Sequence, residues 1–222
     1  MNTNSNSGVN VGQLIIAPAL ISLAITILRL VGELQHWSPS FFNPAPGGAG
    51  AVIGISWLPI FFGPYFALKL TSAGEVPASI GKAFGWTALG LGVYVLGSYL
   101  FASTVAHASL VTLVGFLITL AAAFVPRAGW RALGNTLLAY AFAARIPVLI
   151  VMFFAIRGNG GQGWGTHYDV PPPNFPPMGV LAKFLTIAVL PQMTLWIGFT
   201  VIVGSLIGII VTAVARRSRQ TV

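Results

Sequence analysis

The chain has 222 residues, of which 56% are hydrophobic and 6% charged, with a mean hydropathy of +0.87. An ordinary soluble domain carries about 25% charged residues, so this polar stock cannot cover a water-exposed surface; a soluble catalytic domain is excluded and an all-α polytopic membrane protein is expected. The net charge of +8 sits on Lys and Arg scattered singly between apolar runs, which reads as topology information rather than a nucleic-acid surface, and the lack of cysteine removes disulfides, thiolate metal sites and covalent haem attachment.

In chain order, residues 1–12 form a polar tail without Lys or Arg, so the basic start of a secretory signal is missing and the first apolar segment is expected to persist. A helix needs about 20 apolar residues to cross the hydrocarbon core, and six segments approach this: 14–32, 49–68, 84–102, 108–125, 133–156 and 192–215. Together, residues 13–215 are read as one transmembrane bundle, with a basic tail over 216–222. Ser103 to His107 is short enough to force an antiparallel hairpin between the third and fourth spans. With the N-terminus cytoplasmic, seven basic loop residues fall inside (Lys69, Lys82, Arg127, Arg131, Arg216, Arg217, Arg219) and two outside (Arg157, Lys183). This bias predicts a cell-membrane protein with both termini in the cytoplasm.

Prolines 59 and 64 predict a bent or broken second helix. The exterior loop 158–179 runs from glycines into prolines and is expected to lack regular helix. Residues 180–190 are apolar, but joined to the sixth span they would make a helix of about 54 Å at 1.5 Å per residue. A short interfacial or re-entrant helix turning at Pro191 is therefore expected. Gly204 and Gly208, and Gly85, Gly90, Gly92 and Gly97 in the third span, permit close helix approach; the favoured reading is packing within the chain, with a homo-oligomer seam as the alternative.

Ser22, Thr26, Arg29, Glu33 and His36 recur at i, i+4, i+7, i+11 and i+14, one helical face. That face must meet protein or water, because a charge at the bilayer centre costs at least ~2.5 kcal/mol. Arg145 lies about 18 Å into the fifth span by helical rise, too deep to reach either surface. Pro147 beside it frees the carbonyl of Ala143 as an acceptor. A structural reading ties Arg145 to such carbonyls or to Glu33. A functional reading starts from the three carboxylates of the chain, Glu33, Glu75 and Asp169: only Glu33 is near the membrane, so two intramembrane arginines share one countercharge, and an anion would complete the site.

His36, His107 and His167 all fall on the exterior side, as does Asp169, a set that would suit a divalent metal. Interfacial histidines are also ordinary hydrogen-bonding groups, and no cofactor is the primary expectation. Haem between helices is disfavoured, because none of the histidines lies within a span. Aromatics near span ends, among them Trp37, Trp86, Trp130 and Tyr168, are read as an interfacial belt. The sequence thus leads first to a small-solute transporter or channel-like protein with a buried cationic pocket lined by the first, second and fifth helices. In that pocket Arg145 binds the solute, while Arg29 and Glu33 gate the exterior. The alternatives are a non-catalytic membrane subunit whose arginines meet carboxylates on a partner chain, and a metal-dependent enzyme at the exterior face.

Overall fold

The computed structural model describes residues 9–48, 50–103, 109–173 and 175–220, and among them every regular element is helical. The first helix, α1 (Val11–Leu34), begins where the Asn10 side chain accepts the Gln13 N–H at 3.2 Å, an N-cap that satisfies one of the orphan donors of the first turn. Its Ser22, Thr26, Arg29 and Glu33 are buried while Ile16, Leu20 and Ile27 are exposed. Polar residues point inward and aliphatic ones outward, the inverse of a helix on a soluble protein and the arrangement that lipid requires. His36 does not extend this face: α1 ends at Leu34, and His36 takes a left-handed φ of 53° in the exposed turn that follows.

α3 (Ile80–Ala102) and α4 (Leu110–Ala122) are each opened by a serine, Ser79 accepting from Lys82 N–H and Ser109 from Thr112 N–H. A 3-10 turn, Val125–Ala128, leads from α4 into α5 (Arg131–Gly161). The hairpin expected over 103–107 lies, apart from Ser103, outside the described residues. Among the described residues, α1, α3, α5, the run Leu110–Ala128 and the run Val180–Ser218 are the five helices long and apolar enough to cross a membrane.

The sixth passage differs from the expected span over 49–68. Only α2 (Pro59–Ser72) is helical, and its 14 residues reach about 21 Å at 1.5 Å per residue. The stretch before it is irregular, with left-handed backbone at Gly47, Gly48 and Gly50, and Pro59 starts the helix because a first-turn N–H has no partner to lose. Gly48 lies against the Arg29 guanidinium, whereas Glu75, just past α2, receives the Trp130 indole N–H at 3.0 Å. The chain therefore still crosses the bundle, half of it without regular structure. Trp130 is 3% exposed and Tyr168 likewise 3%, so neither belongs to an interfacial belt.

Residues 180–190 also differ. α6 (Val180–Lys183), two π-helical stretches (Phe184–Val189 and Pro191–Leu195) and α7 (Trp196–Gln220) follow one another without a break, so Val180–Ser218 is a single run of 39 residues. Instead of a turn at Pro191 there is a change of helix type: Leu190 N–H donates to Leu185 O, and Trp196 N–H to Pro191 O, both i→i−5 bonds. The outer half is held by protein, with Ala188 fully buried and Phe184 edge-on to Phe153 of α5 at 5.3 Å.

α7 is the central helix, packed by α2, α3, α4 and α5, and the core gathers Phe66 and Leu70 of α2, Leu137 and Tyr140 of α5, and Ile197 and Val201 of α7. Gly204 and Gly208 face Gly63 of α2, and Gly97 faces Gly115 of α4, so these small residues are seams within the chain, whereas Gly85 and Gly92 meet nothing within 4 Å. Val9, Val11, Glu75 and Arg131 line one crevice, which puts the start of α1 at the end of the bundle that holds Trp130. A Cβ on Gly63 would lie 2.6 Å from Gly204 Cα, so Gly63→Ala is expected to lower stability by about 1–3 kcal/mol through overpacking. Gly85→Ala, a residue with open space, should leave the thermal unfolding midpoint in detergent unchanged or slightly raised. Equal midpoints for the two variants would contradict the α2–α7 seam.

Candidate functional site

At the end of the bundle opposite Trp130, a cavity of about 330 Å³ opens between α1, the irregular segment 47–56, α5, the loop before α6 and the π-helical stretch. Its size lies at the low end of small-molecule pockets, roughly 300–1,000 Å³. Arg29, Arg145 and His167 are in its wall, with Thr26, Tyr168 and Gln192 as further polar groups and Val148, Met152 and Trp196 among the apolar ones. α2 contributes nothing to it; the sequence expectation of a second-helix wall is replaced by the irregular chain that precedes α2 and by Thr186 to Trp196.

Arg29 is bound on several sides. Its Nε donates to Glu33 Oε1 at 2.8 Å, and its Nη2 to the backbone oxygens of Asn43 and Gly48 at 3.2 and 3.0 Å. The glycines explain the approach: a Cβ on Gly54 would come within 2.9 Å of Nη1, and one on Gly48 would collide with Nη2. The segment is glycine-rich because a guanidinium passes through it.

Glu33 holds more than Arg29. Its Oε1 lies 2.6 Å from His167 Nδ1 and its Oε2 accepts the His167 backbone N–H at 2.8 Å. Since a carboxylate can only accept, Nδ1 carries the proton, and among the described residues Nε2 is the nitrogen left without a hydrogen bond. The short contact to Glu33 favours an imidazolium, but burial and the Arg29 guanidinium on the same carboxylate oppose a second cation, and the His167 pKa is held below its ordinary 6.5. The loop that carries His167 is folded by its own carboxylate: Asp169 accepts from Gly165 N–H, Thr166 N–H and Thr166 Oγ1 at 3.1, 2.9 and 2.6 Å. Tyr168 then reaches back to α1, its hydroxyl donating to Thr26 O at 3.1 Å.

Arg145 is 4% exposed and has no carboxylate partner among the described residues. Nη1 donates to Gln192 Oε1 at 3.3 Å, the guanidinium carbon lies 4.7 Å over the Trp196 ring, and the buried Nε makes no hydrogen bond. The Ala143 carbonyl and Glu33, the partners considered from sequence, are not the ones it uses. Pro147 stays within α5, which keeps helical dihedrals until Gly158. Gln192 belongs to the π-helical stretch at Pro191 and Trp196 follows it as the first residue of α7; π-type distortions are frequent at functional sites.

Of the sequence candidates, Arg29, Glu33 and His167 meet directly, and Arg145 shares their cavity. Asp169 shapes the loop, His36 is exposed beyond α1, and His107 lies outside the described residues. Among the described residues no group of three His, Asp or Glu side chains could hold a metal ion. Gln192, Trp196, Tyr168 and the segment 47–56 were not singled out from sequence. A lone amide after a proline in an apolar run, and a run of glycines before a helix, were the available signals. No protein family, curated protein or solved structure matches the chain.

Two outcomes follow for stability. Glu33→Gln leaves the 9% exposed Arg29 side chain without its countercharge and should cost about 3–5 kcal/mol, read as a large drop in thermal unfolding temperature. His167 binds a proton less readily folded than unfolded, so the folded state loses stability as pH falls from about 7 through the ordinary titration range, by at most about 1.4 kcal/mol per pH unit. His167→Gln should flatten the unfolding-temperature profile over that range, and an identical slope in the variant would refute the assignment.

Proposed function

We propose that this membrane protein is a small-solute transporter or channel-like protein whose cavity receives an anion, with Arg145 as the binding residue and the Arg29–Glu33–His167 cluster as the gate. One observation carries the reading: a guanidinium enclosed in protein, lining a cavity, with an amide oxygen and an aromatic face for partners and an Nε that has none. A buried charge is costly unless compensated, and an anion entering the cavity supplies the compensation. Intramembrane ionisable groups facing a cavity mark solute pathways in general. Irregular backbone beside a broken helix, here 47–56 ahead of α2, is the construction by which membrane proteins expose polar backbone to a solute.

The positive-inside bias places the basic loops around Lys82, Arg127 and Arg131 in the cytoplasm, so the cavity opens toward the exterior half of the membrane. The partner-subunit reading requires arginines that a second chain can reach. Both lie inside the bundle, Arg29 8% and Arg145 4% exposed, which favours a small solute over a neighbouring protein.

The test is uptake of a panel of labelled carboxylates, phosphates and inorganic anions into liposomes containing the purified protein. Arg145→Ala is expected to abolish uptake of whichever anion the native chain carries, and Arg145→Lys to retain a small part of it, since a point charge replaces the planar fork. Unchanged uptake by a correctly folded Arg145→Ala protein, checked by size-exclusion profile, would overturn the assignment.

A further inference from the structure

The cavity wall contains a third basic group, His167, whose proton chemistry the gate assignment does not use. The Glu33 carboxylate occupies both Nδ1 and the backbone N–H of His167. This fixes the ring with Nδ1 protonated, and Nε2 is left as an unprotonated nitrogen on a side chain that lines the cavity together with Arg145. The charged and titratable groups around His167 are Arg29 and Glu33 on α1, Tyr168 and Asp169 on its own loop, and Arg145 across the cavity on α5. Glu33 offsets Arg29, and Asp169 is taken up by Gly165 and Thr166. Arg145 therefore remains as one positive charge without a carboxylate partner among the described residues, in the wall of the same cavity as a neutral imidazole.

Resting on the anion pocket proposed above, we infer that His167 makes it proton-linked: the site takes up an anion together with a proton on His167 Nε2. The step balances as A⁻ + H⁺ + neutral His167 → bound A⁻ with imidazolium His167. The proton comes from hydronium or buffer acid in the bulk solution, whose bond to that proton breaks as one N–H bond forms at Nε2, and no other bond changes. In the empty cavity a second cation beside Arg145 and Arg29 is unfavourable, in keeping with a His167 pKa held below its usual value by burial. A bound anion reverses the balance, because it attracts the imidazolium and can accept a hydrogen bond from Nε2–H. By linkage, whatever the anion does to the proton affinity of His167, the proton does equally to the anion affinity of the site. The apolar share of the wall, with Val148, Met152 and Trp196, suits an organic anion with a short hydrocarbon body.

Hexane-1-sulfonate is a suitable probe, because it stays ionised across the range and any pH dependence of its binding belongs to the protein. Titration calorimetry of the full chain in detergent, from about pH 5.5 to about pH 8.5, should show affinity rising as pH falls, by up to about tenfold per pH unit. Measured in two buffers of different ionisation enthalpy, binding should take up a fraction of a proton per anion equal to the local slope of that rise, approaching one where the rise is steepest. In His167→Gln, which keeps an amide donor toward Glu33, the pH dependence and the proton uptake should vanish. The two-buffer measurement needs only the native protein and decides the matter even where that variant fails to fold. Binding that is independent of pH and moves no proton overturns the linkage and leaves the anion pocket standing; proton uptake persisting in His167→Gln overturns the choice of residue; no saturable binding at any pH removes the pocket and the linkage together.

Discussion

The half of the bundle that holds the cavity is organised by one carboxylate. Glu33 sits on α1 with no side-chain exposure and binds Arg29 on its own helix and His167 from a loop 134 residues away in sequence. Each of its partners brings backbone with it: Arg29 gathers Asn43 and Gly48, and His167 brings Tyr168, whose hydroxyl closes on Thr26. Ionised groups are tolerated at such a place only when their hydrogen-bonding capacity is nearly saturated. Glu33 meets that condition with three short contacts, and the two loops that border the cavity meet through it.

Arg145 is the counter-example within the same cavity. Deep in α5, it is served by a neutral amide and an indole face, which orient a guanidinium without cancelling its charge. The contrast is between a cation saturated by a carboxylate and backbone oxygens and one that is not. The glycines at 48 and 54 and the π-helical turn at Pro191 are the backbone adjustments that bring the two arginines to one space.

Much of this was legible in the residues. Low charge content implied a membrane bundle, the spacing of Ser22, Thr26, Arg29 and Glu33 identified an inward face, and the depth of Arg145 in an apolar run marked it as enclosed. The remainder depended on long-range geometry. Nothing local couples Glu33 to His167, so the histidine looked like one of three exterior ligand candidates rather than the partner of a specific carboxylate. Residues 49–58 are apolar enough to resemble membrane helix, but Gly50 takes left-handed backbone and Gly54 lies against the Arg29 guanidinium, a long-range contact that local sequence does not reveal. Proline at 191 was read as a bend because an α-helix cannot supply its missing N–H; a π-turn, with acceptors displaced by one residue, absorbs it instead.

That π-turn has a wider implication. Each π-type turn holds roughly one residue more than an α-turn, and one residue corresponds to about 100° around the axis. The same helix could therefore present a different set of side chains to α5 if the extra residue were redistributed, without unfolding and without moving its ends far. Gln192 and Trp196 meet Arg145 in the present phase; a rotated phase would withdraw both, so a single rod can in principle offer one guanidinium two different sets of neighbours.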